Sequence, residues 1–257
     1  MNTLMYHDVV PAGAEDTSGF PGRDAALYKV TPGQFDAHLE AIQKSVGGAA
    51  SSGFVVTFDD GGVAAMTAAD VLERRGLRGD FFVTANYIGK PGFLTRTALR
   101  ELAGRGHRIG SHSCSHPLRM AHCDWSQLIR EWADSRAVLS DVVSQDVCTG
   151  SIPGGDFAPR VAKAAAEAGY VRLFTSEPTS EEQQMEGLTL IGRFAIRRWT
   201  SARTAAALTA GEFLPCARQA LLWNARKLTK RLGGSHYLRL RQLLLQHGDT
   251  VRWGDES

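Results

Sequence analysis

Short apolar runs alternate with longer stretches of helical periodicity from the start of the chain to about residue 195. The short runs are rich in β-branched and aromatic residues, whereas the longer stretches carry apolar residues at every third or fourth position. Such alternation is typical of parallel strand–helix–strand units. It predicts seven strands, at residues 3–6, 54–58, 80–84, 108–111, 147–151, 171–175 and 190–195.

Helix start and stop signals fall between these strands. Thr31 and Asp124 are suitable N-caps, and Gly76 and Gly169 stand where helices should end. The helices predicted in this part are 32–44, 63–75, 96–103, 125–142 and 158–168, with a long loop over 8–27. After residue 195 only helical patterns follow, at 201–209, 215–232 and 236–246. We therefore predict an α/β domain over residues 1–200 and a basic helical extension over residues 201–257.

Composition places the chain among soluble globular proteins. Hydrophobic residues make up 43% and charged residues 22% of its 257 positions, which excludes disordered, collagen-like and rod-like chains. His7 and Asp8 follow the start too closely for a secretion signal, and no apolar run approaches the ~18 residues of a membrane span. The four cysteines show no C-x-x-C spacing and indicate reduced thiols. Together these features predict a cytoplasmic protein.

The net charge of +2 hides an asymmetry. Seven of the 29 basic residues lie between Phe213 and Gly248 without an acidic residue, which leaves 22 basic residues against all 27 acidic ones elsewhere. Apolar and basic positions in residues 217–232 predict an amphipathic helix. Its apolar face could pack on the domain with solvated cations, or the helix could dock on anionic lipid at the membrane surface. Nucleic-acid binding is not expected, because recognition motifs and interleaved aromatic residues are lacking.

Two adjacent carboxylates follow the second predicted strand. Asp59 and Asp60 lead into Gly61-Gly62 at a strand end, where parallel α/β folds bind their ligands. Successive side chains diverge, so one carboxylate could hold a cation while the other faces a substrate. Alternatively, one caps the next helix and the other is solvated.

Two histidines follow the fourth predicted strand. His112 and His116 are four residues apart, which on a helical turn would place both imidazoles on one side and suit a zinc-like ion. A carboxylate from another strand end would complete three ligands and leave positions for water and substrate. A Pro153-Gly154-Gly155 turn ends the fifth strand and could present backbone N–H groups, although any tight turn uses such residues.

These motifs together resemble the polysaccharide deacetylase family, the NodB-homology domain of carbohydrate esterase family 4. The family's first motif, T-F-D-D-G, is intact at residues 57–61, and its second, H-S-x-x-H, is intact at 112–116. The opening Met5-Tyr6-His7 is similar to the start of a subgroup of these deacetylases. The resemblance spans roughly residues 3–198.

The resemblance implies an α/β fold, an incomplete (β/α)7 barrel, followed here by the helical extension. It implies that Asp59 is the catalytic base and that Asp60, His112 and His116 hold a divalent metal, usually Zn²⁺. The implied activity is hydrolysis of a sugar N-acetyl group in surface polysaccharide biosynthesis, of lipopolysaccharide or exopolysaccharide. The substrate would be an N-acetylated sugar or glycan, and a lipid-linked glycan would suit a membrane-docked helix.

Two family motifs are altered in this sequence. Ser151 stands in place of the arginine that orients the catalytic Asp, for which Arg193 or Arg197 could substitute. The late histidine that acts as the family's general acid has no counterpart after the last predicted strand, and His7 is the candidate replacement because it follows the first strand. The alternative for His7 is a structural, hydrogen-bonded role. These departures motivate a second hypothesis, a catalytically silent glycan-binding or scaffold protein.

Three tryptophans are candidate sugar-stacking residues. Trp132 is expected in the core because it lies in mid-helix among apolar residues. Trp125 begins the same predicted helix. Trp199, just past the last strand, could line the cleft or stand on the surface.

Overall fold

The computed structural model describes residues 2–46, 53–225 and 227. Its strands are β1 (Asn2–Tyr6), β2 (Asp8–Val9), β3 (Lys29–Val30), β4 (Phe54–Phe58), β5 (Asp80–Val83), β6 (Arg108–Ser111), β7 (Thr149–Ser151), β8 (Arg172–Phe174), β9 (Glu182–Met185), β10 (Leu188–Ile191) and β11 (Phe194–Ala195). Its helices are α1 (Arg23–Ala26), α2 (Pro32–Ser45), α3 (Ala65–Arg74), α4 (Arg96–Gly104), α5 (Trp125–Val143), α6 (Pro159–Glu167) and α7 (Ala202–Ala210). Residues 213–225 form a further helix.

Nine strands form one curled sheet in the order β11-β1-β4-β5-β6-β7-β8-β10-β9. Neighbouring strands are parallel from β11 to β10, and β9 pairs antiparallel with β10. Helices cover the outside of the sheet and bury their apolar faces against it, as parallel sheets require. The predicted α/β, NodB-type incomplete barrel is confirmed.

The last predicted strand, 190–195, is in fact two strands on opposite sides of the sheet, β11 at one edge and β10 next to the edge strand β9. β10 ends at Ile191, and β11 begins at Phe194 beside β1. Gly192 lies at the break, where a Cβ would fall 2.5 Å from Thr179. The apolar run predicts one strand because both of its halves are buried. Apolar patterning cannot show that the chain crosses from one side of the sheet to the other between them.

Three short strands were not predicted. β9 is polar and exposed at the edge of the sheet, so no apolar alternation marks it. β2 and β3 form a separate parallel pair within and just after the predicted loop 8–27, which also contains the short helix α1. The loop prediction was therefore wrong in part.

Predicted helices and caps agree with the structure to within about two residues at each end. Thr31 makes a capping box with Gln34, and the Asp124 side chain accepts a hydrogen bond from the N–H of Gln127. The predicted helix 215–232 begins at residue 213 and is followed as far as residue 225; helix 236–246 lies outside the described residues.

α7 packs against α2 and buries Ala205 and Leu208 in the main core. The side-chain amide of Asn2 donates to the carbonyls of Leu208 and Thr209 at the end of this helix. The proposed boundary at residue 200 thus falls before a helix that is continuous with the domain core. Among the described residues, no helix is both long and apolar enough to cross a membrane.

Candidate active site

The turn after β4 directs Asp59 and Asp60 to different partners. The N–H of Asp59 donates to the carbonyl of Tyr6 (3.1 Å), which holds the turn against the end of β1. Asp60 then adopts a left-handed conformation with φ 75°, which is unusual for a residue other than glycine. Gly61 follows with φ 83° and packs against Val83, where a Cβ would come within 2.9 Å. This local reversal lets the two carboxylates separate, as the sequence predicted.

Asp60 lies against the two predicted histidines. Its Oδ1 is 3.5 Å from Nε2 of His112 and 3.6 Å from Nε2 of His116. One ligand atom from each residue can be chosen so that all three lie within 4.8 Å of one another. Nδ1 of His112 donates to the carbonyl of Ser151 (3.0 Å). Nε2, which faces Asp60, therefore carries a free lone pair.

The electrostatics of these three residues fit a divalent cation. Burial lowers the pKa of His112 to about 3 and also lowers the pKa of His116, so both imidazoles are neutral and can ligate. Burial, reinforced by the charges of Asp59 and Asp8, raises the pKa of Asp60 well above its ordinary value. A cation bound between these residues would lower the free-energy cost of keeping the buried Asp60 carboxylate ionised. One carboxylate and two neutral imidazoles form a donor set that suits Zn²⁺ with open positions.

Asp59 forms a two-point ion pair with Arg193. The guanidinium donates to Oδ1 (2.7 Å) and Oδ2 (2.8 Å) of Asp59, and both side chains are almost completely buried. Burial alone would raise the pKa of Asp59, but the charge and hydrogen bonds of Arg193 outweigh it and hold the pKa well below its usual range. Asp59 is therefore ionised, and its orientation is fixed by a planar, bidentate partner.

Arg193 reaches this position because it lies on the link between β10 and β11, which stand on opposite sides of the sheet. Its other hydrogen bonds go to Thr57 on β4, Ser151 on β7 and the carbonyl of Thr175 after β8. Ser151 stands where the family motif has arginine, and its Oγ accepts a hydrogen bond from Arg193 (2.7 Å). Of the two arginines suggested by the sequence, Arg193 thus pairs with Asp59, whereas Arg197 lies over the ring of Tyr28.

His7 follows β1 directly, and its imidazole is close enough to Asp59 to be influenced by the charge of that carboxylate. Burial lowers its pKa to about 4, so the neutral imidazole is the resting form. Its Nδ1 is buried without a hydrogen-bond partner among the described residues. The ring packs on Tyr28 at 4.7 Å between centroids. The unpartnered Nδ1 gives no support to the alternative of a structural, hydrogen-bonded histidine, and the role of His7 as general acid stays a prediction.

His112 and His116, which we call the two metal-loop histidines, are not on a helical turn, and that part of the prediction was wrong. Ser113 (φ 60°) and His116 (φ 59°) are both left-handed, which folds residues 112–116 into a compact loop. The loop is fastened by Glu131 of α5. Its Oε2 accepts from the N–H groups of Cys114 (2.9 Å) and Ser115 (2.8 Å), and its Oε1 accepts from the Ser115 hydroxyl (2.5 Å). Glu131 was missed because helical periodicity does not distinguish a buried carboxylate from one that is solvated.

A second buried anchor, also missed, holds the segment between β2 and β3. The ammonium of Lys29 donates to the carbonyls of Glu15, Ser18 and Phe20 at 2.6–2.8 Å. It also lies 3.9 Å from Asp8, whose pKa is raised to about 6 by burial despite this cation. The anchored segment places the ring of Phe20 4.7 Å from that of His116. The segment between β2 and β3 thereby supplies an apolar wall beside His116, one of the candidate metal ligands.

The proposed site residues thus converge from separate strands. Asp59 and Asp60 follow β4, the two metal-loop histidines follow β6, and His7 follows β1. These strands are parallel, so their carboxyl ends meet at one end of the barrel.

Comparisons with known proteins agree with this geometry. Residues 48–173 match the family model described as "Polysaccharide deacetylase". A Bacillus subtilis (strain 168) protein named "Putative polysaccharide deacetylase YxkH" is 31% identical over 137 residues, which cover 52% of this chain and 49% of that protein. The match therefore spans about half the length of this curated relative.

Solved structures share the fold. The deacetylase PplD of Streptococcus pyogenes, determined in complex with acetate, superposes with a TM-score of 0.62 at 21% identity, over 79% of this chain and 94% of that chain. A polysaccharide deacetylase from Bacillus cereus superposes with a TM-score of 0.67 at 18% identity, over 80% of this chain and 68% of that one. The family match over residues 48–173 and the intact motifs within it show that this part of the chain is similar to the polysaccharide deacetylase family, and the solved structures show that the chain shares the fold of such deacetylases.

Proposed function

We propose that this protein is a metal-dependent N-deacetylase that hydrolyses N-acetyl groups on sugar units of a surface polysaccharide. The observation that carries the proposal is the division of labour between the adjacent carboxylates. Asp60 faces two neutral imidazoles, and Asp59 is fixed by Arg193. A carboxylate beside a metal site and a second, oriented carboxylate are what hydrolysis of an unactivated amide requires.

In the proposed mechanism, Asp60, His112 and His116 hold a divalent cation, most suitably Zn²⁺. When bound, the ion supplies Lewis-acid polarisation of the amide carbonyl and of the attacking water. Asp59 accepts the proton of that water at a carboxylate oxygen, and Arg193 keeps this carboxylate ionised and aimed at the water. His7 carries a proton to the amine nitrogen as the C–N bond breaks, which yields acetate and a cationic sugar amine.

The pKa of His7 has a consequence for this role. Because the resting imidazole is neutral, His7 must take up a proton before it can protonate the leaving nitrogen. The proton removed from water by Asp59 is the nearest source, since both residues stand at adjoining strand ends of β1 and β4.

Acetate release by the metal-loaded protein tests the proposal. Purified protein is stripped of metal, reloaded with Zn²⁺ and assayed on N-acetylglucosamine oligomers. We expect release that requires metal and is lost in Asp59→Asn and His112→Ala, whereas Asp141→Asn, which alters a carboxylate on the outer face of α5 with 72% side-chain exposure, retains it. Binding of glycan without acetate release under all conditions would favour the catalytically silent alternative.

We also propose that the protein works in the cytoplasm and contacts anionic membrane through its C-terminal helix. The helix 213–225 packs its Trp223 side against the Gly155 turn and leaves Leu214, Leu221 and Leu222 exposed. The excess of basic residues in 213–248 suits an anionic bilayer. Such docking would bring the barrel end close to a lipid-linked glycan.

Vesicle sedimentation tests this contact. We expect binding to phosphatidylcholine vesicles that contain phosphatidylglycerol, weaker binding at high salt, and loss of binding in the double variant Leu221→Ser, Leu222→Ser. Equal binding to neutral vesicles, or none to either, would contradict the membrane proposal without affecting the deacetylase proposal.

A further inference from the structure

Three side chains continue outward from the ring of His7. Tyr28 packs on His7 with 4.7 Å between ring centroids. The guanidinium carbon of Arg197 lies 5.7 Å from the Tyr28 ring and 5.6 Å from the Trp199 ring. We call Tyr28, Arg197 and Trp199 the outer ladder. It leads from the proposed acid to an indole whose side chain is 61% exposed.

The outer ladder lies at the same end of the barrel as the proposed chemistry. β1 and β11 are parallel and in register, with Leu4 opposite Phe194 and Met5 opposite Ala195. His7 and Arg197 both stand two residues beyond these paired positions, so they leave the sheet side by side. The ladder is therefore a continuation of the site and not a feature of a distant surface.

The turn that carries Trp199 is fixed on several sides. The N–H of Arg198 donates to the carbonyl of Leu27 (2.9 Å), and its carbonyl accepts from the side-chain amide of Gln34 (3.0 Å). One residue further on, the carbonyl of Thr200 accepts from the imidazole of His38 (2.8 Å). A large aromatic side chain held out into solvent on a rigid turn is preorganised for a ligand, because little conformational entropy is lost on binding.

We propose that Trp199 is a stacking platform for a second sugar ring. This inference rests on the proposed function and specifies its substrate as a glycan of at least two residues. The face of a pyranose presents C–H groups, which are attracted to the electron-rich face of an indole. With the N-acetylated ring between Asp59 and His7, the adjoining ring extends along the outer ladder. Binding energy gained on Trp199 then holds the reacting unit in place.

The test compares acetate release across chain length. Metal-loaded enzyme is assayed with N-acetylglucosamine and its β-1,4- and β-1,6-linked dimers and tetramers. We expect wild-type kcat/KM to be about tenfold higher for a tetramer than for the monosaccharide, and Trp199→Ala to remove this preference, mainly through KM. Trp199→Phe, which restores an aromatic face, is expected to recover most of it.

Trp125 provides a matched control. It is also a surface tryptophan, 38% exposed, with the ammonium of Lys163 5.9 Å from its ring, but it begins α5, away from the outer ladder. Trp125→Ala is expected to keep the wild-type preference for tetramers.

Two results would overturn the inference separately from the proposed function. Acetate release with equal kcat/KM for all chain lengths, or a tetramer preference that survives in Trp199→Ala, would show that the ladder binds no sugar. A wild-type protein that releases no acetate from any of these glycans with Zn²⁺ loaded would contradict the deacetylase proposal itself.

Discussion

Arg193 and Asp59 form a buried, doubly hydrogen-bonded ion pair although 134 residues separate them in sequence. Removed from water, each charge depends on the other for its stabilisation. Loss of one partner from such a pair typically costs about 3–5 kcal/mol, because the remaining charge is buried and unpaired. The pair therefore links the stability of the barrel to the ionisation of the proposed base.

Arg193→Met is expected to lower the free energy of unfolding by about 3–5 kcal/mol and to abolish acetate release, because Asp59 loses both its countercharge and its orientation. Chemical denaturation at pH 7 measures the first effect. Arg96→Met is the control: its ion pair with Asp141 is exposed, and its loss should cost less than about 1 kcal/mol. Equal effects of the two substitutions would contradict a special role for the buried pair.

We expect that an arginine at position 151 can replace the guanidinium of Arg193. Ser151 already accepts a hydrogen bond from Arg193 and occupies the site of the family's arginine. We expect the double variant Arg193→Ser, Ser151→Arg to recover part of the acetate release that Arg193→Ser loses. Recovery of the unfolding free energy without any recovery of activity would show that Arg193 is structural.

Glu131→Gln is expected to weaken Zn²⁺ binding about 10- to 100-fold, the usual effect of removing a group that supports metal ligands. A glutamine has one acceptor oxygen in place of two, so it cannot accept both the two backbone N–H groups that share Oε2 and the Ser115 hydroxyl that donates to Oε1. Competition with a chromophoric chelator gives the affinity, and the visible spectrum of the Co²⁺ form reports the ligand geometry. Asp134→Asn, an exposed change on the same helix, serves as the control; affinities equal to wild type in both variants would contradict the positioning role.

His7→Gln is expected to lower kcat by about 10²- to 10⁴-fold while the protein remains folded and binds metal, since general acid catalysis contributes that much. His122→Gln replaces a histidine with a 57% exposed side chain and is expected to leave kcat unchanged. If His7→Gln retains full turnover, another group must protonate the leaving nitrogen.

Stability is expected to fall as the pH drops below about 6.5, partly through His38. Its Nδ1 accepts from the Tyr6 hydroxyl and its Nε2 donates to Thr200, an arrangement that requires the neutral ring. Burial lowers its pKa in the folded protein, so the unfolded chain binds the proton first. The contribution of neutral His38 to the free energy of unfolding is complete above the pKa of this histidine in the unfolded chain. As the pH falls from there towards the lower pKa in the folded protein, this contribution declines by at most about 1.4 kcal/mol per pH unit.

Urea denaturation of the metal-free protein at pH 7.5 and 5.5 measures this slope. Without metal, competition between protons and the ion at the metal ligands does not contribute. We expect His38→Gln to reduce the loss of stability between the two pH values, since glutamine does not titrate. An unchanged slope in this variant would mean that His38 does not take part in acid destabilisation.

Much of the fold could be predicted from the sequence, because buried parallel strands and capped helices leave strong local signals. β4 and β6 and the caps at Thr31 and Asp124 were placed correctly. The division of residues 190–195 could not be predicted, since the reason for it is the curvature of the whole sheet and the close approach of Gly192 to Thr179.

The site was predicted unevenly for a similar reason. The motifs name the residues of the proposed metal site, which the structure brings together, but they do not show how the loops are held. Glu131 and Lys29 act through backbone groups of segments distant in sequence, and such contacts leave no periodic pattern. Arg193 was one of two candidates because only the folded barrel shows which arginine faces Asp59.

Residues 192–193 link β10 to β11, near the end of the domain. The site is therefore complete only after this link has been synthesised. A nascent chain synthesised only as far as β8 contains Asp59, Asp60, His112 and His116, but not the guanidinium of Arg193. Pairing of β11 with β1 adds the last strand at this edge of the sheet and brings Arg193 to Asp59. An unfinished translation product that ends before Arg193 would therefore lack the guanidinium that orients the proposed base.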